Sequence, residues 1–310
     1  MTNVGQNVDI APQKPYNGNI LKNKGKRVMK KYALYNSAAC SGRGKSLAAR
    51  VQDIYPDDEI VFQDVCEVPD YVVYLEGLGK DAPVVICGGD GTLNRFINAT
   101  KDKLGDRDIY YFPCGSGNDF MRDVGAGEEI VRINDYIKDL PTVYVNGKEY
   151  AFLNGVGYGI DGYCCEKGDE IREKTPEKKI SYAGIAIKGL LFHYKPTTAT
   201  VTVDGEMHTF KNAWLVPTMY GRYYGGGMIP CPEQSRNNPD KKVSVMAYCG
   251  KCKLKVLMIF PSLFKGEHVK HKKHITILSG HEITVKFDSP RALQIDGETI
   301  LNVSEYTVKY

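Results

Sequence analysis

The pattern of these 310 residues predicts two parts: an N-terminal parallel α/β domain and a C-terminal, mainly antiparallel β-sandwich, with a site in the cleft between them. Three observations lead there. Up to about residue 141, short apolar runs alternate with helical stretches. Beyond residue 142, strand-like runs are bounded by the turn signals Asn146-Gly147, Asp204-Gly205 and Asp296-Gly297. Two apolar runs of the first part also end abruptly in glycine-rich turns.

Residues 1–28 are polar, rich in Asn, Gly, Lys and Pro, and read as a flexible tail. In the α/β domain, 29–141, strands are expected at 32–35, 59–63, 83–87 and 109–112. Helices are expected at 45–54, 71–78, 92–101, 118–124 and 128–140. In the β domain, 142–298, strands are expected at 143–145, 151–156, 198–203, 208–218, 242–248, 274–278, 282–287 and 292–295. Two helices, 180–192 and 254–264, interrupt them. A last segment, 299–310, is expected to return to the first domain.

Composition narrows the function classes. Hydrophobic residues at 42% and charged residues at 25% are ordinary globular values. No apolar run approaches the ~20 residues that cross a bilayer, and the longest, 256–260, is followed by Pro261. Without a secretory apolar segment, a cytoplasmic protein is expected, touching membranes only peripherally. Nine irregularly spaced cysteines suit reduced thiols, and Cys249-Gly-Lys-Cys252 has no second pair to complete a zinc site. The net charge is +4, with lysine-rich clusters at 22–31 and 270–273. These suit solvated surface or anionic lipid headgroups, and no nucleic-acid-binding signature accompanies them. A homodimer is left open.

The chemistry concentrates in loops. The run Val84-Val85-Ile86-Cys87-Gly88-Gly89-Asp90-Gly91-Thr92 takes a buried strand straight into glycines and a helix start. Glycines admit a bulky anion close to the backbone, and the helix N–H groups point at it. Phosphate is the natural guest. Asp90 beside phosphate requires a cation between them, for which Mg²⁺ is suited. A second loop, Pro113-Cys-Gly115-Ser116-Gly117-Asn118-Asp119-Phe120, follows the next strand and leaves the same carboxyl edge. A third, running from Asn36 to Gly44, joins them there. Gly44-Lys45-Ser46 ends like a P-loop, but Ala39 stands where that motif needs its first glycine.

Together these stretches resemble the bacterial diacylglycerol-kinase-type lipid kinases. The resemblance is carried by Gly88-Gly-Asp-Gly-Thr-Leu-Asn94, Pro113-x-Gly-Ser-Gly-Asn-Asp-Phe120, Tyr224-Gly-Gly-Gly-Met228, Gly266-x-His268 and Gln294-Ile-Asp-Gly-Glu298. The first motif alone is shared with NAD kinases and phosphofructokinases. The resemblance implies ATP and Mg²⁺ as cofactors, held by Asn36, Gly88, Gly89, Asp90, Gly91, Thr92, Gly115, Ser116, Gly117, Asn118 and Asp119. It implies Asp90 and Asp119 at the metal. It also implies catalysis by Asp90, Asp296 and Glu298, with Asp296 taking the proton from an acceptor hydroxyl and Glu298 beside it. Read without the resemblance, Asp296-Gly297 is a hairpin turn. The implied acceptor is diacylglycerol or a related lipid alcohol at the inner membrane face. The alternatives are an NAD kinase or other soluble-substrate kinase, or a catalytically silent nucleotide-binding regulator.

The chain also departs from the family pattern. Where many relatives carry D-G-x-L-D around a structural Mg²⁺, it reads Asp240-Lys-Lys-Val-Ser244, and a lysine is expected in that space. Asn154-Gly-Val-Gly-Tyr-Gly-Ile-Asp161 is expected to border the cleft without a nucleotide-binding helix after it. Residues 253–264 are expected to pack an apolar face on the β domain, with bilayer contact as the alternative.

Overall fold

The computed structural model describes residues 28–39, 42–175 and 180–310. The expected tail over 1–27, and Cys40 and Ser41 of the first loop, lie outside the described residues. The first sheet contains β1 (Lys30–Tyr35), β2 (Glu59–Asp64), β3 (Val84–Gly88), β4 (Ile109–Pro113) and β5 (Val131–Arg132), in the order β2-β1-β3-β4-β5. The first four are parallel and β5 runs antiparallel to β4. The sheet is flanked by helices α1 (Gly44–Ala48), α2 (Val51–Ile54), α3 (Tyr71–Glu76), α4 (Asp90–Thr100), α5 (Asp119–Val124) and α6 (Asn134–Ile137).

All of β3 is buried, as a central parallel strand covered on both faces must be. Alternate residues serve opposite faces: Val84 and Ile86 pack with Leu34, Leu93 and Phe96, whereas Val85 and Cys87 pack with Ala33, Ala48 and Val51. Asp70 starts α3 by accepting from the Val72 and Val73 N–H groups. Two expectations are corrected here. The helix expected at 45–54 is two short ones, α1 and α2. The helix expected at 128–140 is the edge strand β5 followed by α6, held because the Asn134 amide bonds the Ile109 N–H and the Arg107 carbonyl.

The second half opens with the hairpin of β6 (Thr142–Val145) and β7 (Lys148–Ala151), whose Asn146 and Gly147 both take positive φ. It continues with β8 (Gly155–Tyr158), α7 (Ile160–Lys174), α8 (Tyr182–Lys188), β9 (Thr197–Val203), β10 (Glu206–Leu215), β11 (Thr218–Met219) and β12 (Val243–Cys249). It ends with α9 (Lys253–Ile259), β13 (Ile275–Gly280), β14 (Glu282–Ile295) and β15 (Glu298–Lys309). These strands form one ten-stranded antiparallel sheet, β7-β6-β15-β14-β8-β11-β12-β10-β9, with β13 on β12. Because β9 also pairs with the far end of β14, the sheet curls back on itself around an apolar interior.

Four expectations differ from this half. The strand expected at 151–156 is divided between β7 and β8. The two strands expected within 282–295 are one, β14, which runs through Pro290. A 15-residue helix, α7, follows the Gly-rich stretch at 155–159, where no helix was expected. Its start at Gly159 requires φ +124, and few of its residues are apolar. The C-terminal segment does not return to the first domain: as β15 it lies between β14 and β6, with Val303, Tyr306 and Val308 buried in the second core.

Candidate functional site

The two glycine loops of the first sheet lie back to back. A Cβ on Gly115 would fall 2.3 Å from Gly89 Cα, so neither loop tolerates a side chain at that crossing. The pairing is fixed by the Cys114 N–H bond to Gly88 O and by the Tyr111 hydroxyl on the same carbonyl. Gly88 lies against Thr92, whose hydroxyl accepts from the Asn36 amide at 3.3 Å. The three expected loops therefore meet at the carboxyl edge of β1, β3 and β4.

Asp90 is the first residue of α4, and its carboxylate reaches across to the start of α5. Oδ2 accepts from the Asp119 N–H and Oδ1 from the Phe120 N–H, both at 2.9 Å. Asn118, in the left-handed region at φ +51, braces its own loop: its amide accepts from Gly115 N and donates to Gly115 O. Ser116 is exposed at the loop tip. The Asp119 carboxylate is buried and binds Arg122 through one oxygen and the Gly226 N–H through the other, at 2.7 Å. Gly225, Gly226 and Gly227 all take positive φ, which turns that amide toward the first domain.

Asp296 and Glu298 enter from the other half on the β14–β15 turn. Asp296 is 5% exposed and accepts four hydrogen bonds: from the Leu153, Asn154 and Gly155 N–H groups and from the Asn94 amide. Those four donors fill the lone-pair positions of its two oxygens. Proton acceptance by Asp296 therefore requires one donor to leave, and Asn94 is the only side chain among them. Glu298 binds Arg95 through Oε2, while its Oε1 lies where a Cβ on Gly91 would approach to 2.6 Å. Asn154 joins the halves, since its N–H donates to Asp296 and its amide donates to Asp90.

Burial dominates the electrostatics. It pushes the Asp119 carboxyl up to about 6, with the Asp90 charge adding to the effect. It also raises Asp296 to about 6, against three bonding amides that pull the other way, and Asp90 again contributes upward. Among the described residues no three His, Cys, Asp or Glu side chains gather as a self-sufficient metal cage. The donor set fits Mg²⁺ shared with a substrate instead. A Cβ on Gly117 would lie 3.5 Å from Asp90 Oδ2 and 3.6 Å from Asp119 Oδ2, so both oxygens face one glycine. A cation held there would offset the Asp90 charge that adds to the effect of burial on Asp119.

Sequence reasoning missed several residues of this region. Asn94 and Asn154 were read only as parts of motifs. Arg236, 8% exposed, pairs with Asp123 of α5 and donates to Leu153 O and the Asn154 amide oxygen. It lies in an unremarkable polar loop, and nothing local marks it. Asp161, which the motif reading set at the border of the cleft, is buried at the start of α7 beside the Tyr224 hydroxyl and the Gln294 amide. Burial pushes its carboxyl up to about 6, against the Gly162 N–H, the Tyr224 hydroxyl and the Gln294 amide, which pull it down. Lys241, in the stretch where a lysine is expected in place of a metal loop, takes φ +50 and pairs with Asp139 at 2.5 Å. The Ser244 hydroxyl beside it donates to Gln234.

Comparison with known proteins agrees with this layout. Residues 30–143 match the diacylglycerol kinase catalytic domain, and residues 154–307 match the YegS C-terminal NAD kinase beta sandwich-like domain. A Mycobacterium tuberculosis protein named diacylglycerol kinase is 26% identical over 222 residues, covering 68% of this chain and 69% of that protein. A Bacillus subtilis protein provisionally named as the lipid kinase YtlR is 24% identical over 240 residues, covering 69% and 73%. A crystal structure from Bacillus anthracis, provisionally titled a diacylglycerol kinase, shares the fold with a TM-score of 0.62 at 19% identity, covering 93% of this chain and 94% of that one. The chain belongs to the diacylglycerol-kinase catalytic-domain family, whose members are phosphotransferases with an alcohol acceptor.

Proposed function

We propose that this protein transfers the γ-phosphate of Mg²⁺-ATP to the hydroxyl of diacylglycerol or a related lipid alcohol, as a peripheral protein at the inner membrane face. The observation that supports it best is Asn154, which hydrogen-bonds Asp90 from one half and Asp296 from the other. Phosphoryl transfer asks the protein chiefly to position groups and stabilise charge. Gly88–Thr92 and Gly115–Gly117 would receive the ATP phosphates, because their backbones come close without side chains. Mg²⁺ would lie with Asp90 and Asp119, supplying positive charge to the phosphate oxygens. Asp296, with a carboxyl near 6, is poised between acid and base at neutral pH and accepts the hydroxyl proton once Asn94 turns aside. Glu298, fixed by Arg95, orients the acceptor.

The test incubates the protein with labelled ATP, Mg²⁺ and a panel of lipid alcohols, sugars and NAD. Label in a lipid alcohol is expected, and label in NAD alone would overturn the lipid reading. Asp296→Ala is expected to lower turnover at least ~100-fold while ATP still binds, the usual cost of losing a general base. Turnover near the wild-type rate in that variant would leave Asp296 a strut between the domains.

A further inference from the structure

We propose that α8, the π-turn Gly189–His193, α9 and the 3₁₀ turn Phe260–Lys265 form a docking face for an anionic lipid bilayer. The proposal rests on the lipid-kinase reading only for its purpose. Phe192 (74% exposed), Met258 (73%) and Leu254 (64%) stand in solvent, with Ile187, Leu191 and Phe264 also exposed. These positions belong to neighbouring elements, since Lys253 Nζ donates to Leu191 O at 3.3 Å. Each element divides its apolar residues between two directions. Leu190, Val256, Ile259 and Leu263 bury in one cluster of the β domain, while the exposed six point away from it. Exposed apolar side chains grouped in this way mark interaction surfaces.

Charge identifies the partner. Residues 180–195 and 250–266 contain no Asp or Glu but carry Lys188, Lys195, Lys251, Lys253, Lys255 and Lys265. Over the whole chain acids and bases nearly balance, at 37 and 41, so a stretch with lysines alone is a local feature. Apolar side chains ringed by lysines match the boundary between headgroups and acyl chains. A second copy of the chain fits poorly, because a two-fold contact would set like charges against each other. The buried cluster beneath the face also contains Tyr224 and Met228, on either side of Gly226, whose N–H holds Asp119 in the cleft.

The experiment is co-sedimentation of the full chain with phosphatidylcholine vesicles, with and without phosphatidylglycerol. Binding is expected only to the anionic vesicles, weakening about fivefold per lysine removed. The F192S/M258S variant is expected to bind about 10–100-fold more weakly. It should still phosphorylate a dispersed short-chain diacylglycerol at the wild-type rate and keep its melting temperature. Unchanged vesicle binding by that variant, or no anionic binding by the wild type, would overturn the proposal. So would a wild-type dimer that the same substitutions dissociate, since the face would then be a subunit contact. If no lipid is phosphorylated yet vesicle binding follows the expected pattern, the kinase reading fails alone and the docking face stands.

Discussion

Replacing Asp161 by Asn separates the cost of a buried charge from any use the molecule makes of it. Asp161 is 8% exposed, and burial lifts its carboxyl from 3.8 to about 6 although the Gly162 N–H, the Tyr224 hydroxyl and the Gln294 amide pull it down. A group whose folded value is raised is favoured by the fold in its protonated form. Its stabilising contribution is therefore complete below pH 3.8 and is lost as the pH rises through about 6. Above that window the ionised carboxylate costs the fold roughly 3 kcal/mol relative to the same group in water. Asn keeps the shape, carries no charge, and keeps an amide beside the Tyr224 hydroxyl. The D161N variant is expected to melt about 6 °C higher at pH 8, taking ~2 °C per kcal/mol for a chain of this size. Near pH 4 the gain should vanish. The single tryptophan, Trp214, is buried in the cluster that includes Tyr224, so its fluorescence reads the transition locally. An equal shift at both pH values, or a loss at pH 8, would refute the reasoning by showing that the charge is compensated.

Two further outcomes follow from the contacts between the halves. Arg236→Ala leaves the Asp123 charge with the Arg222 N–H but no cation, in a site where both side chains are largely buried, and is expected to cost about 3–5 kcal/mol in a urea titration. A loss below ~1 kcal/mol would mean that the Phe120 and Tyr220 rings flanking the arginine carry the contact instead. Because Lys241 pairs with Asp139 and its ammonium fills the space beside that carboxylate, EDTA is expected to stop phosphoryl transfer without lowering the melting temperature. A chelator-dependent fall in that temperature would reveal a metal within the fold itself.

Much of the fold could be read from short-range pattern, and its failures share a cause. The apolar run of β3 and its Gly-Gly-Asp-Gly exit are local facts, so the strand, the turn and the start of α4 were legible together. The same holds for the hairpins at Asn146-Gly147 and Asp204-Gly205, whose turn residues need positive φ. By contrast, α7 begins at a glycine in an unusual conformation and buries Ile160, Cys164 and Gly168 on a narrow stripe, too weak for periodicity to register. The placement of β15 depends on two strands far away in sequence. In the site, the motifs pointed to Asp90, Asp119, Asp296 and Glu298; Asn154 links Asp90 to Asp296, the Asp119 N–H donates to Asp90, and Glu298 lies against Gly91 beside Arg95. The structure also reveals what motifs do not contain. The Asp296 oxygens are already bonded, Asn118 braces its own loop, and Arg236 reaches the cleft from a loop with no signature.

The position of β15 has a consequence for how the molecule is made. The β6–β7 hairpin ends at Ala151, yet its other neighbour in the sheet is β15, which begins only at Glu298. On the ribosome, the parallel sheet of the first half has all its strands by Arg132 and can complete itself while the rest is still being translated. The second sheet cannot, and the hairpin must wait with one flank unpaired, open to pairing with the wrong chain. Assembly of the β half, and with it the delivery of Asp296 and Glu298 to the cleft, is thus governed by the emergence of β15.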